Sequence, residues 1–361
     1  MMLHDLRILH ITNNLGYGGV QKIIYELCDA TKEEVDSVYV ASSGGVYVDR
    51  LREIGVKHFE IPDVSSTNPR DVLTIISKLS RIVRDRHINV IQCHHRMAVL
   101  FARFIHCNAK IIYINHTTYS DRGLLTHVIL RNIPVIAVGQ QARDNAVSFF
   151  NIPDRQVTII PNAVKKSNGP FPPVKEIEEQ KKQGKFIVTL VGRLHPQKGV
   201  QYFIEAAAKV LMKHGQDIAF FVVGDGPLRV PLEELSRNLG VRHDVHFVGF
   251  RKDSENFMYH SDVIVMSSVY EGLPLTPIEA CSVGKAIVAP DIPGVSEVVV
   301  DGINGLLFES KNSTALANAI DRMYEDRGFL DKCGKNAKYI YQEKFAIEPF
   351  KQAYCQYYES L

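Results

Sequence analysis

The sequence has no pair of cysteines in a C-x-x-C arrangement, although it holds six, Cys28, Cys93, Cys107, Cys281, Cys333 and Cys355. That spacing argues against a zinc site and a disulfide framework, and makes a reducing cytoplasm the expected setting. No run of eighteen apolar residues occurs, so no spanning helix is expected. The opening Met1-Met2-Leu3-His4-Asp5-Leu6-Arg7 lacks the basic-then-apolar order of a signal peptide. Charge of one sign is not in large excess: 42 Lys and Arg stand against 40 Asp and Glu, which excludes a strongly basic nucleic-acid binder as the first reading. No segment is low in complexity.

What is present is ordinary globular composition, 45% hydrophobic and 23% charged, over 361 residues. That length exceeds what one hydrophobic core spans, so two domains are expected. Residues 1–168 carry 20 Lys and Arg against 15 Asp and Glu, and the rest carries 22 against 25. The N-terminal half is therefore the one suited to an anionic surface. Short apolar runs alternate with helix-period segments. The expected strands are Arg7–Thr12, Ser37–Ala41, Val90–Cys93, Ile111–Asn115, Val135–Val138 and Val157–Ile160, with helices such as Arg70–Arg86 and Arg96–Cys107 between them. Such alternation predicts parallel sheets covered by helices. A proline- and charge-rich stretch, Lys165–Lys185, reads as a linker with a short polar helix inside. The alternation then resumes with Phe186–Val191, Ile218–Val223, Val245–Phe247, Val263–Met266 and Ala286–Ala289. The expected class is α/β: two tandem Rossmann-like, doubly wound domains (1–165 and 186–345) joined by a linker (166–185) and facing a central cleft. A last helix, 346–361, is expected to return to the first domain. Ligands of open α/β sheets bind beyond the carboxyl ends of the strands, so the chemistry belongs on the loops that follow them.

The first strand ends in Asn13-Asn14-Leu15-Gly16-Tyr17-Gly18-Gly19 ahead of a helical pattern. This suits either an anion at a helix start or a plain tight turn; the spacing is not G-x-G-x-x-G. His94 and His95 follow one strand and His116 another, where an imidazole can meet a hydroxyl or a proton. His10 lies inside a strand and takes a structural reading. In Val191-Gly192-Arg193-Leu194-His195-Pro196-Gln197-Lys198-Gly199, a guanidinium and an ammonium share a loop before a helix, a pairing suited to a diphosphate; the alternative is two solvated cations. Val223-Gly224-Asp225-Gly226-Pro227 is explained as a turn. In Tyr270-Glu271-Gly272-Leu273-Pro274-Leu275-Thr276-Pro277-Ile278-Glu279, Thr276 fits an N-cap, Pro277 the first helical position and Glu279 the third, a capping box. Glu271 is expected on the loop with its carboxylate free. Carboxylates beside a helix start suit the hydroxyls of ribose and hexose.

These motifs resemble the large retaining glycosyltransferase family with two Rossmann-like domains, the GT-B architecture (family 4-like), which includes bacterial mannosyl-, glucosyl- and N-acetylglucosaminyltransferases. The resemblance runs from Gly18-Gly19 through His116 and Gly192–Gly199 to Glu271…Glu279 and Asp301–Gly305. It implies that Arg193 and Lys198 contact the donor diphosphate and stabilise the leaving group, that Glu279 binds the ribose hydroxyls, and that Glu271 faces the transferred sugar. His116 matches the histidine near the reacting face of that sugar, and Gly18 and Gly19 match the loop near phosphate or acceptor. His95 matches a histidine whose role varies, and Leu275 and Thr276 stand at the helix start beside the diphosphate. The segment Val248-Gly249-Phe250-Arg251 would meet the base. The implied reaction transfers a hexose or N-acetylhexosamine from a nucleotide-diphosphate sugar to a saccharide or lipid-linked acceptor, with retention. No cofactor or metal is expected: the cations can stabilise the departing diphosphate, and no D-x-D stretch exists. Nucleic acid is not an expected partner.

Two other classes compete. A nucleotide-sugar 2-epimerase on the same architecture would need acid and base carboxylates in the first half, whose loops offer histidines instead. A silent sugar-binding or scaffolding protein would not need Arg193, Lys198, Glu271 and Glu279 together. The stretch Arg70–Arg86 carries Val72, Ile75, Ile76, Leu79, Ile82 and Val83 at helical spacing, with Lys78, Arg81, Arg84 and Arg86 outside the stripe. It predicts either loose contact with anionic lipid from the cytoplasmic side or an ordinary helix packed on its sheet.

Overall fold

The computed structural model describes every residue except 1, 106, 107, 120, 122, 167 and 168. The chain forms two compact units, Met1–Ala163 with Ile347–Leu361, and Val164–Ala346. The first contains strands β1 (Arg7–Ile11), β2 (Ser37–Ser42), β3 (Lys57–Glu60), β4 (Val90–Cys93), β5 (Lys110–Asn115), β6 (Val135–Ala137) and β7 (Val157–Ile159). They form one sheet in the order β3-β2-β1-β4-β5-β6-β7, and every pairing is parallel. The second unit holds β8 (Phe186–Val191), β9 (Ile218–Val223), β10 (Val245–Gly249), β11 (Val263–Val265), β12 (Ala286–Pro290) and β13 (Gly305–Phe308). Their order is β10-β9-β8-β11-β12-β13, again all parallel.

Parallel order requires a crossover between strands, and the helices that make the crossovers cover both faces. The central strands are therefore buried and mostly apolar, with His10 in β1, Gln92 in β4 and Thr189 in β8 as buried polar exceptions. All six residues of Ile-Ala-Phe-Phe-Val-Val in β9 are buried, and each full burial of such a side chain stabilises the fold by about 1.5–3 kcal/mol. The edge strand β3, Lys-His-Phe-Glu, has no buried residue, which is why hydrophobic patterning does not reveal it. Strand β13 is hidden differently: four residues follow directly on the Asp301–Gly305 turn, too short to show a period.

The segment that reads as a linker is largely built into the second unit. Its helix Lys175–Lys181 buries Ile177, and Val174 is also buried. Arg251 donates from Nη1 to Glu176 Oε1 at 3.0 Å and forks onto Asp253 at 2.8 and 2.9 Å, tying that helix to the loop after β10. The predicted helix Arg96–Cys107 runs Arg96–Phe104; Cys107 lies outside the described residues. Helix Pro69–Asp85 buries Ile75, Leu79, Ile82 and Val83, with Val72 and Ile76 packed against the same core. Most of its apolar stripe is spent on its own unit, and Lys78, Arg81 and Arg84 face outward together with exposed Leu73.

The last helix, Ile347–Glu359, belongs to the first unit and buries Phe350, Tyr354 and Tyr358. Lys351 pairs with Glu34, and Tyr358 Oη donates to Gln92 Oε1 at 2.8 Å. Both partners of that bond are buried, so losing one strands the other without solvent. Tyr358→Phe is expected to destabilise the first unit by about 1–3 kcal/mol, read as a lower urea midpoint with unchanged slope. An unchanged midpoint would mean Gln92 is satisfied without the phenol.

Candidate functional site

In each sheet the strand order turns back once, between β1 and β4 and between β8 and β11. At such a point the loops leaving adjacent strands run to opposite faces and open a crevice beyond the strand ends. The loops after β1, β4, β8 and β11 carry nearly all the nominated residues.

After β1 the chain folds against the loop that follows β2. Leu15 N–H donates to Gly44 O at 2.8 Å and Tyr47 N–H to Leu15 O at 3.0 Å. Gly45, at φ +140°, leaves no room for a side chain, since a Cβ there would lie 2.2 Å from the Leu15 carbonyl carbon. Gly18 has extended backbone and precedes helix Gly19–Thr31, whose start has no side-chain cap. The first-turn N–H groups of that helix remain available to an acceptor or anion.

Three histidines form a chain in this unit. His10 Nδ1 and His94 Nε2 are 3.0 Å apart, and His94 Nδ1 and His116 Nε2 are 2.9 Å apart. Burial holds all three neutral: His10 and His116 are pushed down to about 3, and His94 falls well below the usual histidine range, helped by its two neighbours. His116 stands just past β5, on a loop anchored by buried Asn115, whose Nδ2 donates to Ala142 O at 2.9 Å. Its Nδ1 has no hydrogen-bond partner among the described residues. His95 has a different occupation. It is the N-cap of helix Arg96–Phe104, its Nδ1 accepting from Met97 N–H at 3.3 Å, so one ring nitrogen is already used for the fold.

The second-unit loops are packed by glycines. A side chain at Gly224 would strike Gly192 O, one at Gly226 would strike Leu194 O, and one at Gly199 (φ +57°) would strike Ser267 O. Gly199 thus serves the packing of the β8 loop on the β11 loop. Gly192 instead lies under the Lys198 stem, whose carbons would be 3.7–3.9 Å from a Cβ there. Arg193 is exposed and without a side-chain partner among the described residues. Lys198 reaches Glu271 Oε1 at 2.5 Å, and Gln197 Nε2 lies 3.4 Å from the other carboxylate oxygen and 3.0 Å from Tyr270 O. Glu271 is buried, so the expectation of a free loop carboxylate is corrected. Removing its charge from water requires a partner, and Lys198 supplies it.

The capping box is also corrected. The helix runs Leu275–Ser282 with Pro274 as N-cap and no side-chain cap. Thr276 is its second residue and Glu279 its fifth, too far along to cap the start. The N–H groups of Leu275 and Thr276 stay uncommitted to the helix ladder, beside Glu271 in sequence. Asp225 and Arg229 pair with each other at 2.9 Å, in line with a structural turn.

Residues 174–339 match the family described as Glycosyl transferases group 1, and residues 17–167 match Glycosyltransferase Family 4. An uncharacterised glycosyltransferase of Methanocaldococcus jannaschii is 30% identical over 335 residues, covering 84% of this chain and 81% of that protein. The chain belongs to the family 4-like glycosyltransferases of the GT-B type. It is also similar to a UDP-Gal:alpha-D-GlcNAc-diphosphoundecaprenol alpha-1,3-galactosyltransferase of Escherichia coli, 24% identical over 358 residues and covering 92% of this chain and 91% of that one. In fold it matches Anabaena HepE, solved with UDP and glucose, at a TM-score of 0.85 and 20% identity over 99% of this chain and 100% of that one. The protein is therefore a glycosyltransferase that uses nucleotide sugars. No helix among the described residues is long and apolar enough to cross a membrane.

The histidine chain makes stability depend on pH. In the unfolded chain each ring binds a proton below about 6.5, whereas in the folded chain His10 and His116 do so only near 3. The unfolded state then holds more protons, so stability is full above about 6.5 and declines as pH falls toward 3, by up to about 1.4 kcal/mol per pH unit for each ring. Urea midpoints at pH 7.5, 6 and 5 should fall in that order. A midpoint that stays level over this range would mean that the rings are charged in the fold.

Proposed function

We propose that this glycosyltransferase moves a hexose or N-acetylhexosamine from a nucleotide-diphosphate sugar to a saccharide or lipid-linked acceptor, with retention and without a metal. The observation that carries the reading is the second switch point, where Arg193, the Lys198–Glu271 pair and the uncapped helix start at Leu275 lie on adjacent loops. As the anomeric C–O bond breaks, negative charge grows on the departing diphosphate. Arg193, Lys198 and the Leu275 and Thr276 N–H groups stabilise that charge, while Glu271 fixes the Lys198 ammonium and presents its carboxylate to the sugar. The acceptor oxygen forms the new bond on the face the diphosphate leaves, and its proton passes to the leaving phosphate. Glu279 serves the ribose hydroxyls. In the first unit Gly18 and Gly19 border the acceptor or phosphate, and His116 serves the sugar, with His95 following the neighbouring strand β4.

Leaving-group stabilisation is strongest in the transition state, so its loss should appear in turnover. A thermal-shift screen against UDP, GDP, ADP and dTDP and their sugars identifies the donor. With that donor and its acceptor, Arg193→Ala and Lys198→Ala should each lower kcat by roughly 10²–10³ with a modest change in nucleotide affinity. Their effects should be less than multiplicative together, since both act on one group. Near-wild-type turnover in both would remove these residues from the site. Glu279→Gln should raise the KM of the donor with little change in melting temperature, because the amide keeps the size of the side chain and its ability to hydrogen-bond; unaltered KM would take Glu279 out of donor binding.

A lipid-linked acceptor, of the kind named for the E. coli relative, requires the enzyme at a membrane surface. Helix Gly123–Leu130 exposes Leu124 (82%) and Val128 (59%), and exposed Phe149 lies against Gly123. We assign this apolar face to peripheral contact with an anionic bilayer from the cytoplasmic side. Sedimentation with vesicles containing phosphatidylglycerol should be lost in Leu124→Asp/Val128→Asp. Undiminished binding, or none by the wild type, overturns the assignment.

A further inference from the structure

We infer that His10, buried in strand β1, is a positioning residue that sets which nitrogen of His116 carries the proton. The inference rests on the reading of His116 as a group that serves the sugar.

The reasoning is a count of protons. A neutral imidazole has one N–H donor and one bare nitrogen. His94 uses both ring nitrogens, one on His10 at 3.0 Å and one on His116 at 2.9 Å. The series therefore has two consistent arrangements. In one, His10 Nδ1–H donates to His94 Nε2, His94 Nδ1–H donates to His116 Nε2, and the His116 proton is on Nδ1. In the other every bond is reversed, and the His116 proton is on Nε2. A choice made at His10 is thus transmitted to His116, because neutral His94 cannot donate twice or accept twice. The rings are linked in series, and among the described residues no His, Cys, Asp or Glu group is arranged to hold a metal.

The far end of the series makes the choice. His10 Nε2 is buried with no hydrogen-bond partner among the described residues, and so is Gln92 Nε2. His10 and Gln92 are register partners on β1 and β4, so their side chains leave the same face of neighbouring strands. Gln92 Oε1 takes the Tyr358 hydroxyl proton at 2.8 Å, which turns the amide so that its other end is a donor. Turned over, the amide would leave the phenol proton without an acceptor, since Tyr358 has no other partner among the described residues. A proton on His10 Nε2 would be a buried donor with no acceptor among the described residues, since the Gln92 amide at the paired position is turned as a donor and its oxygen is held by Tyr358. The His10 proton is accordingly on Nδ1, and the series delivers an N–H at His116 Nδ1, the nitrogen left without a partner. His116 then offers the sugar or acceptor a hydrogen-bond donor, and the C-terminal helix, through Tyr358, holds the setting in place.

The test uses the full-length enzyme labelled with 15N-histidine. Long-range 1H–15N spectra at pH 7.5 should show His116 as the Nδ1–H form. His10→Phe should replace that single form by a mixture and lower kcat on the order of 10- to 100-fold, the usual cost of losing a group that orients a working histidine, with the KM of the donor unchanged. His10→Asn, whose side-chain amide can donate where Nδ1–H did, should restore both. An Nε2–H form in the wild type overturns the inference. So does a His10→Phe enzyme with wild-type spectrum and kcat, or a folded His10→Asn enzyme as impaired as His10→Phe. Should His10→Phe fail to fold, Gln92→Met removes the amide donor and keeps all three rings; an unchanged pure Nδ1–H form then overturns it. His116→Ala separates the two layers. Wild-type turnover there would defeat the catalytic reading of His116, while the spectra would still decide the relay.

Discussion

Everything in this enzyme's site depends on the reversal of strand order within an all-parallel sheet. Two strands that leave their shared border for opposite faces cannot close the gap beyond their ends, and that gap is where a polar ligand can be met by loop side chains and backbone N–H groups. Both units contain such a point, at β1/β4 and at β8/β11. The rest follows by attachment. Buried, mostly apolar strands fix the height of the loops, and glycines at 199, 224 and 226 let the second-unit loops lie one upon another.

The two switch points solve opposite electrostatic problems. The second unit gathers charge where it can be used: Arg193 exposed, and Lys198 held by a carboxylate that is itself buried. A buried carboxylate next to an ammonium is costly to separate, so the pair presents the ammonium in one place before any donor arrives. The histidine row of the first unit is instead kept uncharged. Its three histidines are neutral because each ring is desolvated. A charged imidazole in mid-series would have to donate at both nitrogens, and the alternation of donor and acceptor along the row would be lost.

The C-terminal helix has a larger part than length or position suggests. By folding into the first unit it packs on helix Gly19–Thr31 and brings the phenol that satisfies the Gln92 carbonyl. Stability and proton placement are thus coupled through one buried hydrogen bond.

The fold class is legible in the sequence, and so are the polar residues proposed for the site. Apolar runs of four to six residues separated by helical periods can be little else than doubly wound sheets, and the polar residues that interrupt the pattern at strand ends, Arg193, Lys198, His116, Glu271 and Glu279, are visible because local pattern does not explain them. Strand β3 is illegible, being a charged edge with nothing to bury, and the capping alternative for Glu279 fails because the helix starts at Leu275, earlier than Thr276 suggests. Only the tertiary structure decided which polar groups meet. The Lys198–Glu271 pair joins residues 73 apart in sequence, and Tyr358 and Gln92 are 266 apart. His10, read from sequence as structural, acquired its role only through the register that sets β1 beside β4. Periodicity is a local property of the chain, fixed by the geometry of a strand or a helix. Hydrogen-bond partnership across a sheet depends on strand order and register, and no local pattern encodes those.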